Sequence, residues 1–206
     1  MDDESGLPNS SEPGEQSSVG AQLSLNGFRK TVFLGIVSAL LFGSGVFLTE
    51  LIPEVGTDID FKPFFIVYLL IGMLPFGIPT LSVALGGALG EGFLDVFEGY
   101  ELDDPFGFLG YFFGFFIFGW YLDQVASDPT STRALTIAAL LGAFVQALFE
   151  GIAFAIFQPT SFPGGVVLSI LGNTITHGLV LGTIPLLVLY PYFSNFEFFS
   201  QRGESR

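Results

Sequence analysis

The sequence predicts an all-α integral membrane protein, a bundle of six transmembrane helices with both termini cytoplasmic, and three features carry that expectation. Half of the residues are hydrophobic and the mean hydropathy is +0.64. Only 13% are charged, against about 25% in soluble domains. The charges are also segregated, because residues 31–49, 63–90, 105–122, 134–149 and 151–196 contain no Asp, Glu, Lys or Arg. A helix needs about 20 apolar residues to cross the hydrocarbon core of a bilayer, and these runs supply several.

Residues 1–28 are rich in Ser, Gly, Glu and Pro. Such a segment buries too little apolar surface to offset its ordering entropy, so a disordered acidic tail is expected there. The membrane domain is expected over 29–192, followed by a short C-terminal tail over 193–206. The first apolar run starts after residue 30 behind acidic residues, so no cleavable leader is expected.

Helix 1 is placed at 31–52, ended by Pro53. Helix 2, at 63–76, and helix 3, at 79–98, are separated by the break Pro75-Phe76-Gly77-Ile78-Pro79, since two prolines four apart interrupt a helix. Helix 2 is then short for a full span. Helix 4 follows at 106–125, helix 5 at 133–157, and helix 6 at 165–190, stopped by Pro191. With six helices, Arg29, Lys30, Arg133, Arg202 and Arg206 fall on one side and only Lys62 on the other. The excess of basic residues marks the cytoplasmic side, which places both termini inside the cell.

The net charge is −14, with acids concentrated in the tail and over residues 91–104. That balance excludes nucleic acid as a partner, because nothing neutralises phosphates. An acidic solvent-facing surface without cysteine resembles that of proteins from high-salt organisms. The absence of cysteine excludes disulfides, thiolate metal sites and thiol catalysis. No HExxH and no phosphate-binding loop is present, and with one histidine neither a metal site nor a cofactor is expected.

Ionisable groups within a membrane are costly and usually face a cavity or a partner. Glu91 and Asp95 on helix 3, Gln146 and Glu150 on helix 5, and Asn173 and His177 on helix 6 each stand four apart and share a helix face. The orientation puts all these pairs in the outer half of the bilayer, whereas helix 6 beyond His177 reads GLVLGTIPLLVLYP. Polar groups confined to one half fit a pocket open to the outside better than a path through the membrane. Glu91, Asp95, Gln146, Glu150, Asn173 and His177 are therefore the candidate ligand-binding residues. Several carboxylates against one histidine favour a cationic or donor-rich ligand. The same positions also fit plain structural roles, with Glu50 and Asp95 as solvated helix ends, His177 as a satisfied core group and Asn173 as interhelical glue. Tyr111 and Phe112 sit high enough in helix 4 to stack on a ligand. Loops 53–62 and 158–165 are candidate lids, the second because Gly164-Gly165 can hinge.

Helix 1 carries Gly35, Ala39 and Gly43 at a spacing of four. Small residues at that interval let another helix approach closely, either a partner subunit or a neighbour in the same bundle. With this stripe, the short second helix, the Pro-Gly break and the segment Gly86-Gly87-Ala88-Leu89-Gly90-Glu91-Gly92-Phe93-Leu94-Asp95, the chain resembles the substrate-binding S-components of energy-coupling-factor (ECF) vitamin transporters. The resemblance covers about 28–192 and rests on architecture more than on signature residues. It implies capture of a vitamin or similar micronutrient in a high-affinity pocket near the outer face, closed by external loops. It also implies docking of Gly35, Ala39 and Gly43 on a transmembrane coupling subunit, with ATP-binding subunits driving uptake. The competing classes are a membrane scaffold or sensor without a small ligand, a solitary secondary transporter, and an intramembrane enzyme. The dry inner half and the absence of an internal repeat weigh against the transporter, and the lack of a metal or catalytic spacing weighs against the enzyme.

Overall fold

The computed structural model describes residues 13–49, 59–99, 101–157 and 163–194. Glu50, residues 53–58 and 158–162 of the expected lids, and Arg202 and Arg206 of the C-terminal tail lie outside the described residues. The elements in order are α1 (Pro13–Thr49), α2 (Phe65–Gly72), α3 (Ile78–Glu98), α4 (Asp104–Trp120), α5 (Thr132–Phe157), α6 (Pro163–Asn173) and α7 (Ile184–Phe193). Wide π-helical turns extend α4 over Tyr121–Val125 and join α6 to α7 over Thr174–Thr183.

Five helices are long and apolar enough to cross a membrane: Gly27–Thr49, Ile78–Phe97, Asp104–Val125, Thr132–Phe157 and Gly164–Phe193. Their outer surfaces carry Phe33, Leu40, Phe47, Phe93 and Val167, all more than half exposed, while Ser38, Glu91, Gln146 and His177 are buried. Apolar groups outside and polar groups inside is the distribution that lipid requires. The chain is an all-helical, multi-pass membrane protein.

The helices differ from the sequence-based expectation in three places. Helix α1 starts at Pro13, ahead of the start expected at residue 31; proline suits a first helical turn, where its missing N–H would be unpaired in any case. The second helix is shorter than expected, only 8 residues, and is not one of the five long spans. The last helix runs past Pro191 to Phe193, through a second proline, Pro185. Pro185 has no N–H to give the ladder, and the π-helical stretch ends two residues before it, at Thr183. There Thr183 Oγ1 donates to Gly178 O at 2.7 Å.

Helices α1 and α3 lie side by side along most of their length. A Cβ added to Gly86 would fall on the Gly35 carbonyl, one on Gly90 would fall on the Ala39 carbonyl, and one on Gly43 would lie 2.9 Å from Gly90 O. Ser82 Oγ donates to Thr31 O at 2.7 Å and Ser38 Oγ to Val83 O at 2.8 Å. The paired positions rise together along both helices, so α1 and α3 are parallel. The small-residue stripe Gly35, Ala39, Gly43 thus packs against α3 of the same chain. Of the two uses the sequence left open, close packing within the bundle is observed, while Gly35 and Ala39 stay part-exposed beside it.

Helices α4 and α5 approach equally closely but antiparallel, with Gly114 and Gly142 each against the other's carbonyl at 2.6–2.7 Å from an added Cβ. The short α2 lies at the centre, where Val67, Tyr68 and Ile71 are fully buried. Tyr68 stacks on Phe118 with centroids 4.2 Å apart and donates to Ala139 O at 3.0 Å, so the one polar atom it brings inside is satisfied. Tyr190 donates to Gly72 O at 3.4 Å and holds the end of α2.

Candidate functional site

The end of the bundle that bears the α3–α4 connection is here termed the upper end. At that level the chain enters the bundle through residues 59–64 before forming α2. Ile59 packs where a Cβ on Gly172 would stand, and Pro63 and Ile66 pack on Gly45. The two glycines admit this segment between α1 and α6.

The segment delivers Asp60 and Lys62 into the centre. Lys62 Nζ donates to Glu91 Oε1 of α3 and lies 3.1 Å from Asp60 Oδ2. The other oxygen of Asp60 lies 2.6 Å from His177 Nε2, a charge contact whose angle falls outside that of a hydrogen bond. His177 Nδ1 is 3.2 Å from Gln146 Oε1 of α5. Asn173 Oδ1 accepts from the Asp60 backbone N–H at 3.3 Å. Tyr111 donates its hydroxyl to Glu150 Oε1 at 3.1 Å, and its ring lies under the Lys62 ammonium, 5.2 Å away. Phe64 stacks on the His177 ring at 4.7 Å.

A continuous polar path therefore runs Glu91–Lys62–Asp60–His177–Gln146 across α3, the 59–64 segment, the π-helical stretch and α5. The π turn matters because widening the helix changes the direction of its side chains and frees backbone groups, and such turns recur at functional sites. Four buried atoms in the path have no hydrogen-bond partner among the described residues: Glu91 Oε2, Gln146 Nε2, and Asp60 Oδ1 and His177 Nε2, which lie against each other.

Above this path lies a chamber of about 290 Å³, lined at depth by Lys62, Glu91, Tyr111, Glu150 and Asn173. Asp95, Glu101, Asp103 and Asp104 form its mouth. Seven carboxylates line it against the single ammonium of Lys62. Low-dielectric walls and charge of one sign concentrate cations. Beneath the chamber the packing is aromatic and closed, with Phe64 and Phe115 rings 5.1 Å apart and Phe42 and Phe115 rings 5.2 Å apart.

The structure brings five of the six sequence-derived candidates together: Glu91, Gln146, Glu150, Asn173 and His177. Asp95, one turn above Glu91, stands at the mouth instead of in the path. Asp60 and Lys62 are the residues that sequence reasoning missed as site residues, having assigned them to an external loop. The available signal was Lys62 itself, the lone basic residue on its side, entering an apolar run between Asp60 and Pro63. Gly164 and Gly165, expected to hinge a lid, are in the first turn of α6. Among the described residues no group of three or more His, Asp or Glu is arranged to hold a metal ion. The position between Asp60 and Glu91 where a cation would sit is filled by the Lys62 ammonium. Comparison with protein families, with curated proteins and with solved structures finds no match for this chain.

Proposed function

We propose that this chain is a membrane-embedded binding protein that captures a small amine-bearing or otherwise cationic solute in an outward-facing chamber. The observation that carries this reading is the buried, unpartnered Glu91 Oε2 in the wall of a chamber with a strongly acidic mouth. A donor-bearing cation supplies what both features lack. In the uptake role implied by the S-component resemblance, the ligand is a vitamin-like micronutrient, passed on with the help of a coupling subunit and ATP-binding subunits. The coupling subunit would dock at the α1 stripe of Gly35, Ala39 and Gly43, of which Gly35 and Ala39 stay part-exposed beside α3.

The proposed topology is six crossings with both termini cytoplasmic. Parallel packing of α1 and α3 supports the count, because the chain must return across the membrane between them. The segment from residue 59 through α2 provides that return, descending through the centre of the bundle. Arg133 beside the lower end, against Lys62 within the upper half, supports the orientation.

One observation favours a second reading. Lys62 already pairs with Asp60 and Glu91, so the network also serves to anchor residues 59–64 in a scaffold that binds no solute. Native mass spectrometry of the detergent-purified chain separates the two. A small adduct released on denaturation, or gained on incubation with a panel of primary amines and thiazolium compounds, is expected for the binding protein. It should weaken at least tenfold in Glu91→Gln while thermal unfolding shows the variant folded. A chain that stays free of adduct throughout the panel establishes the scaffold instead.

A further inference from the structure

A second cavity adjoins the chamber on the lipid side. It is a groove of about 480 Å³ between the upper halves of α3 and α4, walled by Leu89, Phe93, Phe108 and Leu109. Its lining is almost wholly apolar except for Asp95 and Asp104, and these two carboxylates also line the chamber. Leu89 and Phe93 are more than half exposed, so the groove opens sideways toward hydrocarbon. Gly92 lies in its wall: an added Cβ would make only an ordinary contact with Phe108 Cδ2, at 3.5 Å, whereas a long side chain there would take up groove space.

Charge decides what such a groove accepts. A phospholipid entering it would bring its phosphate against Asp95 and Asp104, where like charges repel. A single apolar chain ending in an ammonium meets the reverse situation, with its tail along Phe93 and Phe108 and its head between carboxylates. Asp104 is already held in place by the Glu101 backbone N–H at 2.6 Å. One helical turn below Asp95 lies Glu91, 3% exposed, a residue of the same chamber's wall whose buried Oε2 has no hydrogen-bond partner among the described residues.

We infer that the solute is an amphiphilic amine, which enters sideways from the outer leaflet with its tail in the α3–α4 groove and its ammonium in the acidic chamber. This rests on the binding function proposed above and specifies the class of its ligand. It also assigns a task to Gly92, that of keeping the groove open.

The test uses the full chain in nanodiscs of zwitterionic lipid. Dissociation constants are measured for methylamine, butylamine and octylamine, and an octylamine carrying a diazirine at the tail end is photocrosslinked and mapped by mass spectrometry. The expected result is crosslinking to the Leu89–Phe93 and Phe108–Leu109 regions, displaced by unlabelled octylamine and absent with an octanol of the same design. Burial of each methylene corresponds to about a fourfold gain in affinity. In Gly92→Leu, octylamine is expected to lose at least tenfold while methylamine is unchanged. Leu89→Trp, on the lipid-exposed rim, should act in the same direction if Gly92→Leu fails to fold. Equal labelling by amine and alcohol would reduce the groove to an ordinary lipid contact and overturn the inference. Methylamine binding with no dependence of the octylamine constant on Gly92→Leu or Leu89→Trp would overturn it while leaving the chamber's function standing. Failure of every amine to bind would overturn both.

Discussion

Lys62 reaches from the segment preceding α2 to Glu91 in the upper half of α3, and the two form an ion pair inside the bundle. Glu91 is 3% exposed and the Lys62 side chain 17%, so water does little to screen either charge. The pair ties a short non-helical stretch to a transmembrane helix at the depth where the chain's other buried polar groups converge. Asp60 completes the arrangement from the opposite side of the ammonium, at 3.1 Å.

Removing the ammonium should therefore cost more than a surface charge would. Breaking a buried pair by deleting one partner leaves an uncompensated charge and costs roughly 3–5 kcal/mol. Lys62→Met is expected to lower stability by that order, whereas Lys62→Met combined with Glu91→Gln should recover a large part of it. A double-mutant cycle on thermal or denaturant unfolding in detergent measures the coupling. Additive losses would show that the two residues do not interact.

The Tyr111 hydroxyl gives Glu150 its hydrogen bond, at 3.1 Å. Tyr111→Phe keeps the ring under Lys62 but takes away that donor, leaving the part-exposed Glu150 carboxylate one hydrogen bond short at a cost of about 0.5–1.5 kcal/mol. Combining Tyr111→Phe with Glu150→Leu should be milder than Tyr111→Phe alone, because no orphaned acceptor then remains. The same unfolding measurement decides it. A double variant less stable than Tyr111→Phe would show that Glu150 has other essential partners.

Close approach of α1 and α3 depends on glycine at positions 86 and 90, where an added Cβ would fall on a carbonyl of the facing helix. Gly86→Ala and Gly90→Ala are each expected to destabilise by about 1–3 kcal/mol through forced separation of the helices. Gly107, with nothing within 4 Å of its added Cβ, provides the control. Gly107→Ala should be as stable as the parent chain or slightly more so, since alanine favours the helix, and an equal loss at Gly107 would show that close helix contact is not the cause.

Much of this was legible in the sequence, for reasons that differ from residue to residue. The shared depth of Glu91, Glu150 and His177 followed from helix order and spacing, whereas their convergence on one site depended on helix rotation, which one sequence does not fix. Whether Gly35, Ala39 and Gly43 face a partner or a neighbour was not legible, since small residues favour close contact of either kind. Asp60 and Lys62 were assigned to a loop because hydropathy records where a charge stands in the chain and says nothing about a segment that folds back into the bundle. Pro191 suggested a helix end, and α7 does stop two residues beyond it, at Phe193, so the proline sits in the terminal turn, where the N–H it lacks interrupts little of the ladder.

The orientation of the bundle decides the meaning of the chamber, and the chain lends itself to a direct test because it contains no cysteine. Leu102, 77% exposed, lies in the connection at the upper end. Ser127, also exposed, lies in the turn between α4 and α5 at the lower end. Single substitutions Leu102→Cys and Ser127→Cys alter neither the chamber nor the core. In intact cells, a membrane-impermeant maleimide is expected to label Leu102→Cys at once and Ser127→Cys only after permeabilisation. That pattern puts the acidic mouth outside, where it meets solutes before the membrane does. The opposite pattern would turn the chamber toward the cytoplasm, and the chain would then be a receptor for an internal amine with no part in uptake. Labelling of both from outside would break the rule that consecutive helices alternate direction, which the antiparallel contacts of α3, α4 and α5 exclude for a folded chain, and would signal unfolding of the variants.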